Sequence, residues 1–495
     1  METPELTFLT NPTVECLQRA VALNHLRWLS LLARAGGGEV RQAEGMTWTY
    51  APPPFSDGTV LFPELTDAEA GELLDEMVSY YLDKRPEKLV GCWSLYPTQP
   101  EDLEVRLLAR GFQLGWWPHW MWLALANMKT EHATPDGLRV EIVEAEPVWE
   151  VDDLPYYSQT GMQQLHGAKR LEPERVWHFG AWLDGKLVGH STLFLTTGEL
   201  GIGGIYGCGV VPEARGQGIG KAVTLAACQQ AHALGCPIAM LNATGMGEPM
   251  YRRLGFESVG HGRTWWLNVE RLAAHAPTPT QIILAEAVGR GDIDTLNAIA
   301  PQLTGALLNT PIPCGMTLVE LALHTNKPES VEWLVKHGAT LDVVSAWRLG
   351  WKARAAQVLA ETPALANYQS STDRATPLHV AAAENDLELA GIVLTANPDL
   401  AIDNDDAGTA LHQACWFGYI DMVRLILQDK PPLDARSRYD STPLGTAIYG
   451  SLHCRNPKGD YPAVVSCLID AGSPLPKTVS GSEAVQAVLR ERLGR

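Results

Sequence analysis

Val210-Val211-Pro212-Glu213-Ala214-Arg215-Gly216-Gln217-Gly218-Ile219-Gly220-Lys221-Ala222-Val223 sets three glycines between an apolar run and a segment of helical spacing. Upstream, Ile202 to Val211 reads as a buried strand. Downstream, Ile219, Val223, Ala226, Ala227 and Gln230 share one helical face, and Gly235 stops that helix. A strand, a glycine loop and a helix in that order aim main-chain N–H groups and the positive end of a dipole at one spot, which suits a phosphate. Two common phosphate loops fail on single residues. A Walker A loop needs Gly where Arg215 stands and Ser or Thr where Ala222 stands. A dinucleotide fingerprint needs its third Gly at Lys221 or Val223.

The flanks read as a mixed α/β sheet. Leu138 to Ile142 is strand-like and Pro155 to His166 helical. Val176 to Leu183 and Lys186 to Leu195 are strands joined by an Asp184-Gly185 hairpin turn. Pro237 to Leu241 is a short buried strand, Glu248 to Leu254 a short helix and Phe256 to Leu267 a last strand. Arg215-Gly216-Gln217-Gly218-Ile219-Gly220 follows Pro212-Glu213. Asn242 comes after the next strand, with Tyr251-Arg252-Arg253-Leu254-Gly255-Phe256 behind it. With this context the loop resembles the GNAT superfamily of N-acetyltransferases, over roughly residues 138–268.

The resemblance implies a GNAT-type sheet and acetyl-CoA as cosubstrate. It places the pyrophosphate at Arg215, Gly216, Gln217, Gly218, Ile219, Gly220 and Lys221, and counts Asn242 with the cofactor-binding residues. It sets the pantetheine arm against the main chain of Val210, whose amide would also serve the oxyanion. It further implies direct attack by a primary amine without an acetyl-enzyme, with Tyr251 as general acid to the leaving thiolate. The base stays open between Glu199, His190, His166, Asp153 and a water chain. Cys208 reads as a small buried residue before it reads as an acetyl relay. Asp in place of Gly218 or Gly220 is expected to abolish cofactor binding with the fold intact.

Farther along, Thr376-Pro377-Leu378-His379-Val380-Ala381, Thr409-Ala410-Leu411-His412-Gln413-Ala414 and Thr442-Pro443-Leu444-Gly445-Thr446-Ala447 recur at intervals of 33 residues. That period and the T-P-L-H-x-A signature resemble ankyrin repeats, in which His379 and His412 are structural. Weaker copies pair Thr280 with Ala285 and Thr317 with Ala322. A damaged repeat spans Ser345 to Ala366, with Trp347 and Trp351 in it. About six repeats are expected, closed by a helix from Glu483 to Leu493. The last carries an insertion, Ser451 to Tyr461, read equally well as part of a binding face or as a tolerated loop.

The first 130 residues alternate strand-like and helix-like segments: Met46 to Tyr50, Asp67 to Leu82, Lys88 to Leu95 and Pro100 to Arg110. They reach Arg110-Gly111-Phe112, an echo of Leu254-Gly255-Phe256. They read as a degenerate copy of the following domain, without a glycine loop. The run Trp116 to Trp122 fits alternation along a strand better than a cation-binding cage. The expected domains are 1–130, a degenerate GNAT-like copy; 138–270, the acetyltransferase; and 278–495, the ankyrin solenoid.

Over 495 residues, 57 acidic side chains against 38 basic give a formal charge of −19, which repels nucleic acid and attracts cations such as amines. Nine scattered cysteines without a C-x-x-C pair fit a reducing compartment, and no metal-ligand set is read. No apolar run is long enough for a membrane span, so a cytoplasmic protein is expected. The favoured function is acetylation of a small amine, antibiotic-like or amino-acid-like, with the ankyrin array serving recognition or assembly. Two alternatives stand: a protein amine recruited by the repeats, or a scaffold that binds acyl-CoA without turnover.

Overall fold

The computed structural model describes residues 6–131, 133–143, 151–370, 373–405 and 408–494, and the chain divides into two units, 1–282 and 283–495. The first unit repeats one motif twice. Its first half runs α1 (Val14–Ala35), β1 (Glu39–Ala43), β2 (Met46–Ala51), β3 (Asp57–Leu61), α2 (Asp67–Lys84), β4 (Val90–Leu95), α3 (Leu103–Ala109), β5 (Phe112–Leu114) and β6 (His119–Ala124). Its second half opens with β7 (Arg139–Ile142) and α4 (Gln159–Leu171). It continues through β8 (Val176–Leu183), β9 (Lys186–Leu195), β10 (Gly203–Val210), α5 (Ile219–Ala233), β11 (Ile238–Ala243), α6 (Glu248–Leu254) and β12 (Glu257–Leu267), and α7 (Val269–Ala274) follows. Each half holds one parallel pair crossed by a helix, β3–α2–β4 and β10–α5–β11. Each then turns from a short helix into its final strands at a left-handed glycine, Gly111 at φ 97° and Gly255 at φ 102°.

The halves do not close separately. The strands form one sheet in the order β1-β2-β3-β4-β12-β6-β11-β10-β9-β8-β7, with β5 also on β12. β6 of the first half sits between β11 and β12. Glu257 to His261 of β12 pair with β6, past a bulge at Ser258 to Gly260. Gly262 to Leu267 then pair with β4 and, at Trp265 to Leu267, with β5 on the other side. The final strands are therefore exchanged, and the cores with them. Met121 and Leu123 from β6 are buried with Leu225, Leu241, Tyr251 and Phe256 of the second half. Trp265 and Leu267 from β12 are buried with Leu74, Met77 and Tyr81 of α2.

The second unit pairs helices in the manner of ankyrin repeats: α8 (Pro279–Arg290) with α9 (Ile293–Ile299), then, after α10 (Gly305–Asn309), α11 (Leu318–His324) with α12 (Pro328–Lys336). The remaining pairs are α13 (Val343–Arg348) with α14 (Lys352–Glu361), α15 (Pro377–Glu384) with α16 (Leu387–Leu394), α17 (Ala410–Phe417) with α18 (Ile420–Leu427), and α19 (Pro443–His453) with α20 (Tyr461–Asp470). α21 (Glu483–Leu493) follows the last pair. Thr317 and Glu320 make a reciprocal capping box. Thr280 does not cap. It lies inside α8, and Thr278 with Gln281 makes the reciprocal bonds instead. In the damaged repeat the Trp347 indole N–H donates to Asp386 at 2.7 Å, tying it to the next repeat. The insertion after α19 folds back rather than projecting: Asn456 Nδ2 donates to Phe417 O at 2.8 Å and Tyr461 Oη to Trp416 O at 3.0 Å. No helix among the described residues is long and apolar enough to cross a membrane.

Candidate active site

β10 pairs with β11 only through Gly203, Gly204 and Ile205, so the two strands part beyond Ile205. Against β9 the register of β10 shifts between Tyr206 and Gly209. Val211 N donates to Val188 O at 3.0 Å, and groups alternate along an antiparallel ladder, so the Val210 N–H and C=O point away from β9 into the gap. The chain then makes a tight turn at Pro212–Ala214 and enters α5 through Gly218, whose φ of 85° excludes most other residues. The first intrahelical bond comes from Ala222 N, and no side chain caps the helix. The amides of Ile219, Gly220 and Lys221 are thereby left for an anion, beside the dipole of a 15-residue helix.

Those amides open onto a cleft of about 1040 Å³ lined by the loop, by Cys208 to Val210, and by Thr244, Met250 and Tyr251. Val210, Arg215, Gly216, Gln217, Gly218, Ile219, Gly220 and Lys221 all line it, so the structure brings the loop residues together with Tyr251. Three placements bear on the expectations. Arg215 folds back, its Nε donating to Val210 O at 3.1 Å. Asn242 does not line the cleft. It stands on β11 directly opposite Trp120 of β6, with Oδ1 buried and unpartnered. A Cβ on Gly218 would lie 2.2 Å from Ala133 O, so an Asp there disturbs the backbone as well as a ligand, whereas at Gly220 its tightest contact would be the flexible Met250 Sδ at 3.1 Å.

On the α5 face, Tyr251 is buried, rings edge-on with Phe256 at 5.8 Å, and bonds Cys208 through its hydroxyl. Burial, followed by the neighbouring thiol, pushes its pKa well above that of a free phenol. The Cys208 thiol is raised too, chiefly by burial, and lies 3.7 Å from Thr224 Oγ1, which makes it a poor nucleophile. The opposite face carries His190, which stands beside Gly207 and Gly209. A Cβ at Gly209 would come within 2.3 Å of Pro155 O and 3.0 Å of His190 Nε2. That Nε2 lies 2.7 Å from Pro155 O, an acceptor, so the proton sits on Nε2 and the buried Nδ1 is bare. Burial lowers the His190 pKa to about 4. Of the other base candidates, Glu199 lies in the β9–β10 turn at the far end of β10 from the loop. Asp153 is exposed ahead of α4, and His166 is half-buried on α4. The sequence reading missed Tyr156, which lines the cleft 70% exposed with φ 62°. Nothing in the sequence marks a tyrosine for a left-handed backbone.

Residues 140–256 match the family model described as the acetyltransferase (GNAT) family, and residues 346–437 and 378–455 match that for ankyrin repeats (3 copies). The chain joins a GNAT domain to ankyrin repeats. A mycothiol acetyltransferase of Pseudarthrobacter chlorophenolicus is 47% identical over 58 residues, 11% of this chain and 18% of that protein. The probable E3 ubiquitin-protein ligase XBOS32 of Oryza sativa subsp. japonica is 34% identical over 85 residues, 17% of each. The chain thus spans less than a fifth of the length of these curated relatives. A solved GCN5-related N-acetyltransferase from Kribbella flavida covers 50% of this chain with 95% of its own, at 16% identity and a TM-score of 0.38. Within the GNAT domain, the residues that fit a pyrophosphate are the first-turn amides of α5 and Lys221, and the cradle is the one Gly216 and Gly220 leave open.

Proposed function

We propose that the protein is an acetyl-CoA-dependent N-acetyltransferase acting on a primary amine of a small molecule, by direct attack in a ternary complex. The observation that carries this is the uncapped, glycine-entered start of α5 facing a cleft that continues past the unpaired edge of β10 to Tyr251. Acetyl-CoA supplies the activated acetyl group when bound. The amides of Ile219, Gly220 and Lys221 hold the diphosphate, and the Val210 N–H donates to the carbonyl oxygen as charge develops there. Tyr251, kept protonated by burial, returns a proton to the departing sulfur. His190 stays neutral because burial lowers its pKa to about 4, but its buried Nδ1 lies off the cleft lining, so we assign removal of the amine proton to a water chain rather than to this ring. The short match to an acetyltransferase named for mycothiol supports a small acceptor over a protein. The ankyrin repeats suggest a protein interaction, and we assign them recognition or assembly.

Calorimetry of the full chain with acetyl-CoA tests the reading. One equivalent should bind, and Gly220→Asp should remove binding without lowering the melting temperature by more than a few degrees. Unchanged affinity in that variant, or no release of free thiol with any of a panel of small amines, would overturn it. A second bound equivalent would mean that the first half-repeat also holds cofactor. That half-repeat has Asp67 and Glu69 in the first turn of α2, where the second offers bare amides, and the carboxylates repel a diphosphate.

A further inference from the structure

We propose that His119, supplied by the first half-repeat through the exchanged strand β6, is a positioning residue for Tyr251. The inference rests on the acid role assigned to Tyr251 above. α6 has seven residues and no side-chain cap at Gly247, so it cannot hold itself in place and depends on what it touches. Its C-terminal end is anchored by buried Leu254 and a left-handed Gly255. At its N-terminal end Glu248 Oε2 lies 3.2 Å from His119 Nδ1. The contact is a close polar approach rather than a directed hydrogen bond, and Nε2 on the other side of the ring lies 2.8 Å from Ser258 Oγ.

The imidazole is itself fixed. It is 9% exposed, stands on a central strand opposite Ala243 of β11 and His261 of β12, and stacks on the His261 ring at 4.5 Å and 19°. The Arg252 partner of Glu248 belongs to the same helix and is half-exposed, so it cannot tie α6 to the sheet and contributes little. Tyr251 is one turn along α6 from Glu248. The chain runs from β6 through His119 and Glu248 to the hydroxyl that meets Cys208, and the first half-repeat thereby reaches the chemistry without touching substrate.

The test uses the full chain with His119→Ala, His119→Gln, Glu248→Gln and Tyr251→Phe, alone and with His119→Ala combined with Tyr251→Phe. His119→Ala should lower kcat about 10-fold, well inside the loss that a small misplacement of a reacting group causes, with KM for acetyl-CoA changed less than twofold. His119→Gln should recover most of the loss, and His119→Ala should cost nothing further in the Tyr251→Phe background. Alkylation of Cys208 by iodoacetamide, followed by peptide mass spectrometry, should speed up in His119→Ala and Glu248→Gln as α6 loosens over the thiol. Wild-type kcat in His119→Ala, a loss that multiplies with that of Tyr251→Phe, or unchanged Cys208 alkylation would overturn the proposal. If the wild type neither binds acetyl-CoA nor turns over, the functional reading fails instead, and the alkylation rates still decide whether His119 holds α6.

Discussion

Tyr251 meets the cleft with a buried phenol whose proton is held more tightly than in water. Tyr251→Phe keeps the ring against Phe256 and removes only that proton, so kcat should fall about 10²-fold with acetyl-CoA affinity and melting temperature nearly unchanged. A near wild-type rate would make Tyr251 a packing residue. A second residue-scale expectation concerns His25, enclosed by Phe62, Trp93, Trp120 and Tyr206 with both ring nitrogens unpartnered. Burial lowers its pKa to about 3 from 6.5. Between those values the unfolded chain binds a proton that the folded one refuses, so stability is full above about pH 6.5 and falls as pH drops. The loss is about 2 kcal/mol by pH 5. His25→Leu should flatten the pH 7 to pH 5 difference in urea stability by that amount, and an unchanged slope would show that the ring is hydrated. At this scale the sequence marks the residues whose chemistry is local, such as the glycines and Tyr251. It does not mark Tyr156, the turned-back Arg215 or the place of Asn242 off the cleft lining, because these follow from backbone geometry and strand facing rather than from spacing.

Elements were readable where their signal is short-range. β8, β9, α6 and α21 occupy the expected spans, since hairpin, capping and repeat signals are all contained within them. α1, 22 residues long, passed unnoticed because Asn24, His25 and Ser30 lie on its buried side and blur the apolar stripe. Asn24 is there to bond: its amide reaches Phe194 O, Thr196 Oγ1 and Ile202 O. The ankyrin histidines show the same economy. His379 Nδ1 accepts from Thr376 N at 3.2 Å while Nε2 donates to Gly408 O at 2.8 Å, and His412 repeats this with Thr409 and with Ser441 O at 2.9 Å. Each ring closes its own helix start and staples it to the next repeat. His379→Ala should therefore cost about 1–3 kcal/mol, the penalty of orphaned buried groups, read as a lower urea midpoint for the ankyrin unit alone. No change in that midpoint would assign repeat cohesion to the apolar contacts.

For the molecule as a whole, the sequence suggested a degenerate copy in residues 1–130, and the exchange of final strands was not legible in it. Either half's pattern is satisfied by a closed or an exchanged sheet, and only long-range pairing distinguishes them. A chain beginning after residue 130 would lose β6 from between β11 and β12, together with buried Met121 and Leu123, each worth about 1.5–3 kcal/mol. It should be insoluble or unfolded and fail to bind acetyl-CoA, and a soluble fragment of wild-type affinity would show that the second half closes on itself. Reciprocal strand donation also constrains biosynthesis. As the nascent chain leaves the ribosome, β4, β5 and β6 emerge more than a hundred residues ahead of β12, and the edges that pair with it stay unsatisfied until that strand, which ends at Leu267, has followed them. Synthesis that pauses or terminates in that interval releases a sticky half-sheet, so the dependable route to the native state is one in which a holdase covers those edges until β12 arrives.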